Sequence, residues 1–338
     1  VKAHITLKQI AQELNISVMT VSRALNNHPN VNKKTREKVL KAAKRLGYIP
    51  NFIAKSLVKK KTYTIGVVVP EITYSFFPEA IKGIEEIASP HGYQLILAYS
   101  AEDAQKEKSA LLTLASKRVD GILISIAETS NDYSIYKQIL SLGIPVVFFD
   151  RCVYNIGASC VSIDDENASE MLTEHLILHG YKRLAHLSGT LSVSIGKLRL
   201  KGFKKALKKY GLEINSDLIV ETGFKEEEGY EAMNKILNLP EEKLPRAIVA
   251  VNDPVAYGAI KAIEEKGLKI PNDIAIVGFS DDIRANLIPT PLTTVKQHAY
   301  ELGKVAATKL FNHIENKNEK IERKIVKSEL IIRKSCGC

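Results

Sequence analysis

The sequence predicts a multidomain chain: an all-α helix-turn-helix head, then an α/β core of two doubly wound parallel-sheet lobes. Three observations predict it. The first sixty residues show helical spacing only and carry more positive charge than the chain's whole net of +10. From Thr64 onward, apolar strand runs alternate with helical stretches, which is the signature of parallel sheets flanked by helices. That alternation occurs in two successive series, and 338 residues exceed what one core usually serves.

In the head, "TLKQIAQELN" places Leu7, Ile10, Ala11 and Leu14 at helical spacing, with Thr6 as the N-cap. After a break at Asn15-Ile16, Ser17 restarts a helix in which Val21, Ala24 and Leu25 share the core face. A third helix, Lys33 to Leu46, buries Val39, Ala42, Ala43 and Leu46 and stops at Gly47. Two helices joined by a short turn and braced by a third make a helix-turn-helix.

The second helix has an unusual outer face. Met19 and Arg23 lie opposite Val21 and Leu25, with Thr20 and Ser22 flanking and Val18 at the helix start. A merely solvated face would show charges there. Residues 1–61 hold fourteen Lys and Arg against Glu13 and Glu37, a balance of +12, while the other 277 residues sum to −2. A basic head on a near-neutral body points to a polyanion, and nucleic acid leads. Arg23 suits guanine O6 and N7, Val18 and Met19 suit thymine methyls, and the hydroxyls of Ser17, Thr20 and Ser22 suit phosphates. In the segment that follows, Ile53 and Leu57 stand one helical turn apart beside Lys55 and Lys59. Such a short helix is unstable alone, so the segment reads either as a linker or as a helix that orders on DNA beside a second copy.

The core's first series of strands is "TIGVVVP", "YQLILAY", "DGILISI" and "PVVFFD"; its second is "RLAHLSG", "LIVETG", "RAIVAV" and "DIAIVGF". Ligands of such sheets bind beyond the carboxyl ends of the strands. Those ends carry Phe76, Phe77, Ser125, Asp150 and Arg151 in the first lobe, and Phe224, Asn252-Asp253 and Ser280-Asp281 in the second. Arg199 projects from the helix after "HLSG". Carboxylates, amides and an arginine beside aromatic rings suit a polyol, which needs directional hydrogen bonds and apolar faces for its C–H surfaces. Each residue also has a structural role open to it. Asp253 before Pro254 suits a helix N-cap, Asp150 and Arg151 can pair with each other, and Phe76 and Phe77 can pack in the seam between lobes.

Other classes find less support. The chain has no Walker A loop, no GxGxxG after a strand, no GxSxG and no HExxH, so an enzyme is not expected. Asp164-Asp165-Glu166 and Asp281-Asp282 suit capping or exposed loops. No run of eighteen apolar residues and no apolar signal core are present, so neither a membrane span nor export is expected, and the location expected is cytoplasmic. Cys152, Cys160, Cys336 and Cys338 do not read as a disulfide framework. Cys336-Gly337-Cys338 reads as a reduced, frayed tail with two thiols, a poor metal site. Neither cofactor nor metal is expected. A stand-alone sugar-binding protein is the alternative function, and the basic head counts against it.

The head, from Thr6 to Leu57, resembles the DNA-binding head of the lactose/galactose repressor (LacI/GalR) family of bacterial transcription regulators. "TVSRALN", "TREKV", "LGYIPN" and "AxxL" match in order and spacing, and the resemblance continues to about residue 335. It implies a periplasmic-binding-protein-like core and a sequence-specific regulator, a repressor, that binds a palindromic operator as a dimer under control of a small, sugar-like effector. Val18, Met19 and Arg23 would read the major groove. Thr6, Leu7, Ser17, Thr20, Ser22, Asn26 and Thr35 would position the backbone. Asn51 joins this DNA-binding set, and Ala54, Lys55 and Leu57 would enter the minor groove, the paired leucines kinking the central step.

Effector contacts fall on Phe76, Phe77, Ser125, Asp150, Arg151, Arg199, Phe224, Asn252 and Gln297. Many relatives have an acidic residue directly after "VGF"; here Ser280 stands there with Asp281 one step later, so a hydroxyl contact is lost or shifted. The implied organisation is a head over 1–49, a hinge over 50–61, an N-terminal lobe over 62–163 and 292–321, and a C-terminal lobe over 164–291 and 322–335. In it "LTTVKQ" and the helix from Ala299 return to the first lobe, and "IVKSELIIR" to the second. Some members add a helical zipper to form tetramers; only "KSCGC" follows Arg333, so a dimer without that zipper is expected.

Overall fold

The computed structural model describes residues 5–48, 61–316 and 318–338. Asn51, Ala54, Lys55 and Leu57, and with them nearly all of the expected hinge, lie outside the described residues. Two compact units are present, Val1–Thr62 and Tyr63–Cys338.

The first unit contains α1 (Leu7–Leu14), α2 (Val18–Leu25) and α3 (Lys33–Leu46). Each begins at a polar cap. Thr6 and Gln9 form a reciprocal capping box on α1, in which Gln9 N donates to Thr6 Oγ1 and Thr6 N to Gln9 Oε1. Ser17 Oγ accepts from Thr20 N at 3.1 Å, and Asn32 Oδ1 from Thr35 N at 2.8 Å. Left-handed residues end α1 at Asn15 and α3 at Gly47. Ile10, Val21 and Val39 are fully buried between the helices with Ala11, Ala24, Ala42 and Ala43. The small residues let three short helices pack closely enough to exclude water from a core this size.

The second unit holds two six-stranded sheets. The first has the order β11-β5-β4-β3-β1-β2, from β1 (Thr64–Val69), β2 (Gln94–Tyr99), β3 (Gly121–Ile124), β4 (Val146–Phe149), β5 (Ser159–Ser162) and β11 (Arg323–Ile325). The second has the order β12-β10-β9-β8-β6-β7, from β6 (Leu184–Leu187), β7 (Ile219–Val220), β8 (Ala247–Ala250), β9 (Ala275–Ser280), β10 (Thr293–Lys296) and β12 (Glu329–Ile331). Every pairing is parallel except β10 with β12. The first lobe's helices are α4 (Phe76–Ala88), α5 (Ala104–Ser116), α6 (Ser134–Ser141) and α11 (Ala299–Glu315). The second lobe's are α7 (Asp165–Leu178), α8 (Ser194–Lys209), α9 (Glu226–Leu237) and α10 (Asp253–Glu265). None of the described helices is long and apolar enough to cross a membrane.

The chain crosses between lobes three times, and the crossings correct the expected boundaries. "LTTVKQ" does not return to the first lobe: β10 pairs with β9 in the second sheet, Val295 opposite Phe279. Only afterwards, at Gln297-His298, does the chain cross to α11, which packs on β3, β4 and β5. β11, expected in the second lobe, pairs with β5 in the first, Lys324 opposite Val161, and the chain then returns as β12. An apolar run states that a strand is buried, not which sheet buries it.

The cysteine reading is corrected as well. Cys152 and Cys160 form a disulfide. Cys160 sits in β5 and Cys152 just past β4, adjacent parallel strands, so an eight-residue separation leaves their Cα atoms 5.9 Å apart, inside the bonding range. The tail is not frayed: Lys334–Cys336 is a 3-10 turn, Cys336 is fully buried, and Ser335 Oγ donates to Ile276 O at 2.5 Å.

Helices α7 and α8 pack at backbone distance because Gly202 has no side chain. A Cβ there would overlap Glu166 O and stand 2.8 Å from Glu170 N. Gly202→Ala therefore forces the helices apart, and chemical denaturation should show a loss of about 1–3 kcal/mol. An unchanged unfolding midpoint would refute the close approach.

Candidate functional site

Two surfaces gather the residues that the sequence singles out. On the head, the cap at Ser17 fixes where α2 starts and so which face turns outward. Val21 and Ala24 go to the core; Val18 and Met19 stay 43% and 62% exposed, and Arg23 is exposed beside them. Ser17 Oγ also lies 2.8 Å from Thr20 Oγ1, and Asn26 Nδ2 donates to Ser22 O at 2.9 Å. Thr6, Ser17 and Asn26 therefore serve helix ends, while Thr35 supplies the N–H that Asn32 caps. Leu7 is half-buried against the head's core. Arg36 donates to His28 O and Val31 O, which pins the loop between α2 and α3.

In the core, the strand ends of both sheets meet across a cavity of ≈ 60 Å³. Of the expected residues, Phe76, Phe77, Asp150, Arg151, Arg199, Phe224, Asn252, Ser280 and Gln297 line it. Ser125 and Asp281 do not. Ser125 is fully buried at the end of β3, its Oγ without a hydrogen-bond partner among the described residues. Asp281 is drawn away by Arg333 Nη2 at 2.6 Å, and the next residue, Asp282, lines the cavity instead. The backbone makes that exchange: Ser280 has φ +128° and Asp281 φ +57°, so β9 ends in a sharp left-handed turn. Sequence reading missed Glu71, Tyr74, Glu102, Ile195, Lys225, Pro254 and Asp282, which also line the cavity. All but Ile195 follow a strand end by a few residues, so the strand-end rule reached these segments without showing which of their side chains turn into the cavity.

The two arginines are held by carboxylates from elsewhere in the fold. Arg151 Nη1 meets Glu102 Oε2 at 2.7 Å, and its guanidinium lies 4.2 Å from the Phe224 ring centroid. Arg199 Nη2 meets Asp165 Oδ1 at 2.8 Å, its Nη1 donates to Val251 O at 2.6 Å, and it stacks 3.7 Å from the Phe279 centroid. All four charged groups are almost wholly buried. The pairing of Asp150 with Arg151 that adjacency suggests is not the one adopted.

The side chain of Asp150, at φ +61°, accepts one long hydrogen bond among the described residues, from Gln297 Nε2 to its Oδ1 at 3.4 Å. Burial pushes its carboxyl up to about 6, against the pull of Arg199 and Arg151. It is a poorly satisfied acceptor facing the cavity. Asp253 is not the cap of α10; Asn252 is, with Oδ1 accepting from Val255 N at 2.9 Å while Nδ2 donates to Phe224 O. Asp253 lies behind the cavity, where burial pushes it up to about 6 although Thr294 Oγ1 and Asp282 N donate to it. Asp164 does cap α7, through Asn167 N.

Hydrogen bonds tie the lobes across the cleft. Ser75, just before α4, donates from N at 3.1 Å and from Oγ at 2.8 Å to Asp282 Oδ2. Burial opposes the charge on Asp282, but these bonds, the Arg284 N–H and its guanidinium hold the carboxyl below its usual range. Thr190 Oγ1 donates to Glu128 Oε2 and Ser192 Oγ to Glu128 O on another rim. The cavity is small, ≈ 60 Å³, and these ties lie at its rim.

Comparison with known proteins covers both units. Residues 6–51 match the model of bacterial regulatory proteins, lacI family, and residues 62–334 that of periplasmic binding proteins and sugar binding domain of LacI family. The HTH-type transcriptional repressor PurR of Histophilus somni is 38% identical over 331 residues, 98% of each chain. Catabolite control protein A of Priestia megaterium is 36% identical over 304 residues, 90% of each chain. Among solved structures, the lac repressor dimer bound to operator and the anti-inducer ONPF superposes with a TM-score of 0.87 at 28% identity over 99% of each chain. With head and core both matched and relatives similar along nearly its whole length, this chain belongs to the lacI family of bacterial regulatory proteins.

Proposed function

We propose that this transcription regulator acts as a cytoplasmic repressor, binding a palindromic operator as a dimer and changing its DNA affinity when a small polyol enters the cleft. The observation that carries the reading is the cleft: charged and aromatic side chains from two separately folded sheets converge on one cavity closed by hydrogen bonds between the lobes. A solute bound there touches both lobes and so sets the angle between them, which couples two sites through an element with two arrangements. The relatives are transcription regulators, which supports the reading of a binding protein. On the head, Val18, Met19 and Arg23 present apolar contact and a bidentate donor to base edges in the major groove.

Arg23→Ala should weaken binding to the specific operator by about 1–3 kcal/mol and relax selection at one base pair, read by binding titrations on operator variants and random DNA. Equal losses on specific and random DNA would rule out base readout by Arg23.

A thermal-shift screen against sugars, sugar phosphates and nucleobases tests the effector. A true ligand at one hundred times its dissociation constant adds about 2.7 kcal/mol of stability. The hit should disappear in Arg199→Ala. A screen without any hit, in a protein that still binds operator, would remove the sugar-like effector and leave the DNA reading in place.

Asp150 gives the cleft a pH dependence. A hydroxyl donor binds the carboxylate more strongly than the acid. With the group titrating at about 6, roughly a tenth is ionised at pH 5 and most at pH 7. Affinity for the effector should therefore rise up to about tenfold from pH 5 to 7. Calorimetry on Asp150→Asn should show that slope flattened; a slope unchanged by the substitution would assign it to another group.

A further inference from the structure

Away from the cleft, the described residues bring together one group of three metal-ligating side chains: His175, Cys336 and Cys338, whose donor atoms all lie within 4.8 Å of one another. We propose that these three form a binding site for a thiophilic divalent cation, zinc first, with the fourth coordination position left to solvent.

The convergence is built by the fold. His175 lies in the last turn of α7, 163 residues from Cys338 in sequence. The tail reaches it because it is fastened to the second lobe: Ser335 N donates to Pro291 O, Thr293 N donates to Ser335 Oγ, and Tyr181 OH donates to Cys336 O at 2.9 Å. Gly337, at φ +79°, then turns the chain back so that Cys338 Sγ stands 3.2 Å from His175 Nε2. A Cβ on residue 337 would lie 2.7 Å from Tyr181 OH, so glycine is what the turn admits.

The donors suit the ion. Two thiols and one imidazole form a soft set that selects zinc or copper(I) over magnesium or calcium. Bonds of about 2.3 Å to sulfur and 2.0 Å to nitrogen at tetrahedral angles place donors roughly 3.5–3.8 Å apart. The 3.2 Å and 4.8 Å limits here bracket that spacing, and the exposed Cys338 side chain is free to take up the difference. Cys336 is buried, its Sγ between Thr293 Oγ1 and Arg333 O at 3.2 Å each, which fixes one ligand in advance. The ion would join the tail to the helix whose first residue, Asp165, holds Arg199.

The test uses the full chain, reduced and stripped of metal, titrated with Co²⁺ as a spectroscopic probe and then with Zn²⁺ in competition. One equivalent of Co²⁺ per chain should bind with thiolate charge-transfer absorption, and Zn²⁺ should displace it. His175→Ala and Cys338→Ser should each weaken binding at least tenfold, whereas Cys152→Ser with Cys160→Ser should leave it unchanged. Circular dichroism of each variant separates a lost site from a lost fold. The proposal is overturned by the absence of a thiolate band, by binding that survives both single substitutions in folded protein, or by a chain isolated with Cys336 joined to Cys338 that takes up no cobalt after reduction.

Discussion

The core is organised around the cost of placing two guanidinium groups in a dry seam. An arginine cannot shed its proton there, so each must bring a carboxylate or remain an uncompensated charge. Glu102 answers Arg151 and Asp165 answers Arg199, both within 2.8 Å. These pairings constrain elements far from the cavity. Asp165 opens α7, so α7 must lie against α8, and that approach in turn requires a glycine at 202. Glu102 precedes α5, at a left-handed backbone position next to Ala101, so the turn after β2 is shaped to deliver it. Removing one partner of such a pair costs about 3–5 kcal/mol, because the other charge stays buried.

With the arginines held by carboxylates, the remaining carboxylates of the cleft differ in how many donors the fold gives them. Asp150 is buried, left-handed and barely hydrogen-bonded, while Asp253 and Asp282 are supplied with donors by Thr294, Ser75 and Arg284. The contrast separates structural carboxylates from one that is available. A buried acceptor without donors is costly, and a solute that supplies a hydroxyl removes that cost.

The head was legible in the sequence because its signals are local. Caps at Thr6 and Ser17, helical spacing of Ile10 and Val21, and a glycine at 47 each act within a few residues. In the cleft, strand-end position located seven of the expected lining residues, since a parallel strand delivers whatever follows it to one edge, while Arg199 was read from the helix after "HLSG" and Gln297 from the family resemblance. The rest depended on distance in sequence. Partners such as Glu102 for Arg151 and Ser75 for Asp282, 49 and 207 residues apart, leave no local trace. Asp281 was misplaced by one residue because the turn at Ser280 depends on backbone dihedrals that the residue types do not announce. β5, with the composition Ser-Cys-Val-Ser, carries no apolar run and takes its burial from neighbouring strands.

The ties across the cleft set the scale of any switch. Each hydrogen bond exchanged between protein and water is worth about 0.5–1.5 kcal/mol net, so the polar ties of Ser75 with Asp282 and Ile283, of Glu128 with Thr190 and Ser192, and of Cys152 with Ser194 add up to a few kcal/mol. A ligand shifts such an equilibrium by its differential affinity for the two arrangements and by nothing else. A few kcal/mol lies within reach of one small polar molecule making several directed contacts, and shifting a population from 1:99 to 99:1 takes about 5.5 kcal/mol. In the proposed switch, a ligand therefore competes with these polar ties and with the apolar cluster that continues from Val68, Ile124 and Val153 in the first lobe to Val193, Ile195 and Phe224 in the second.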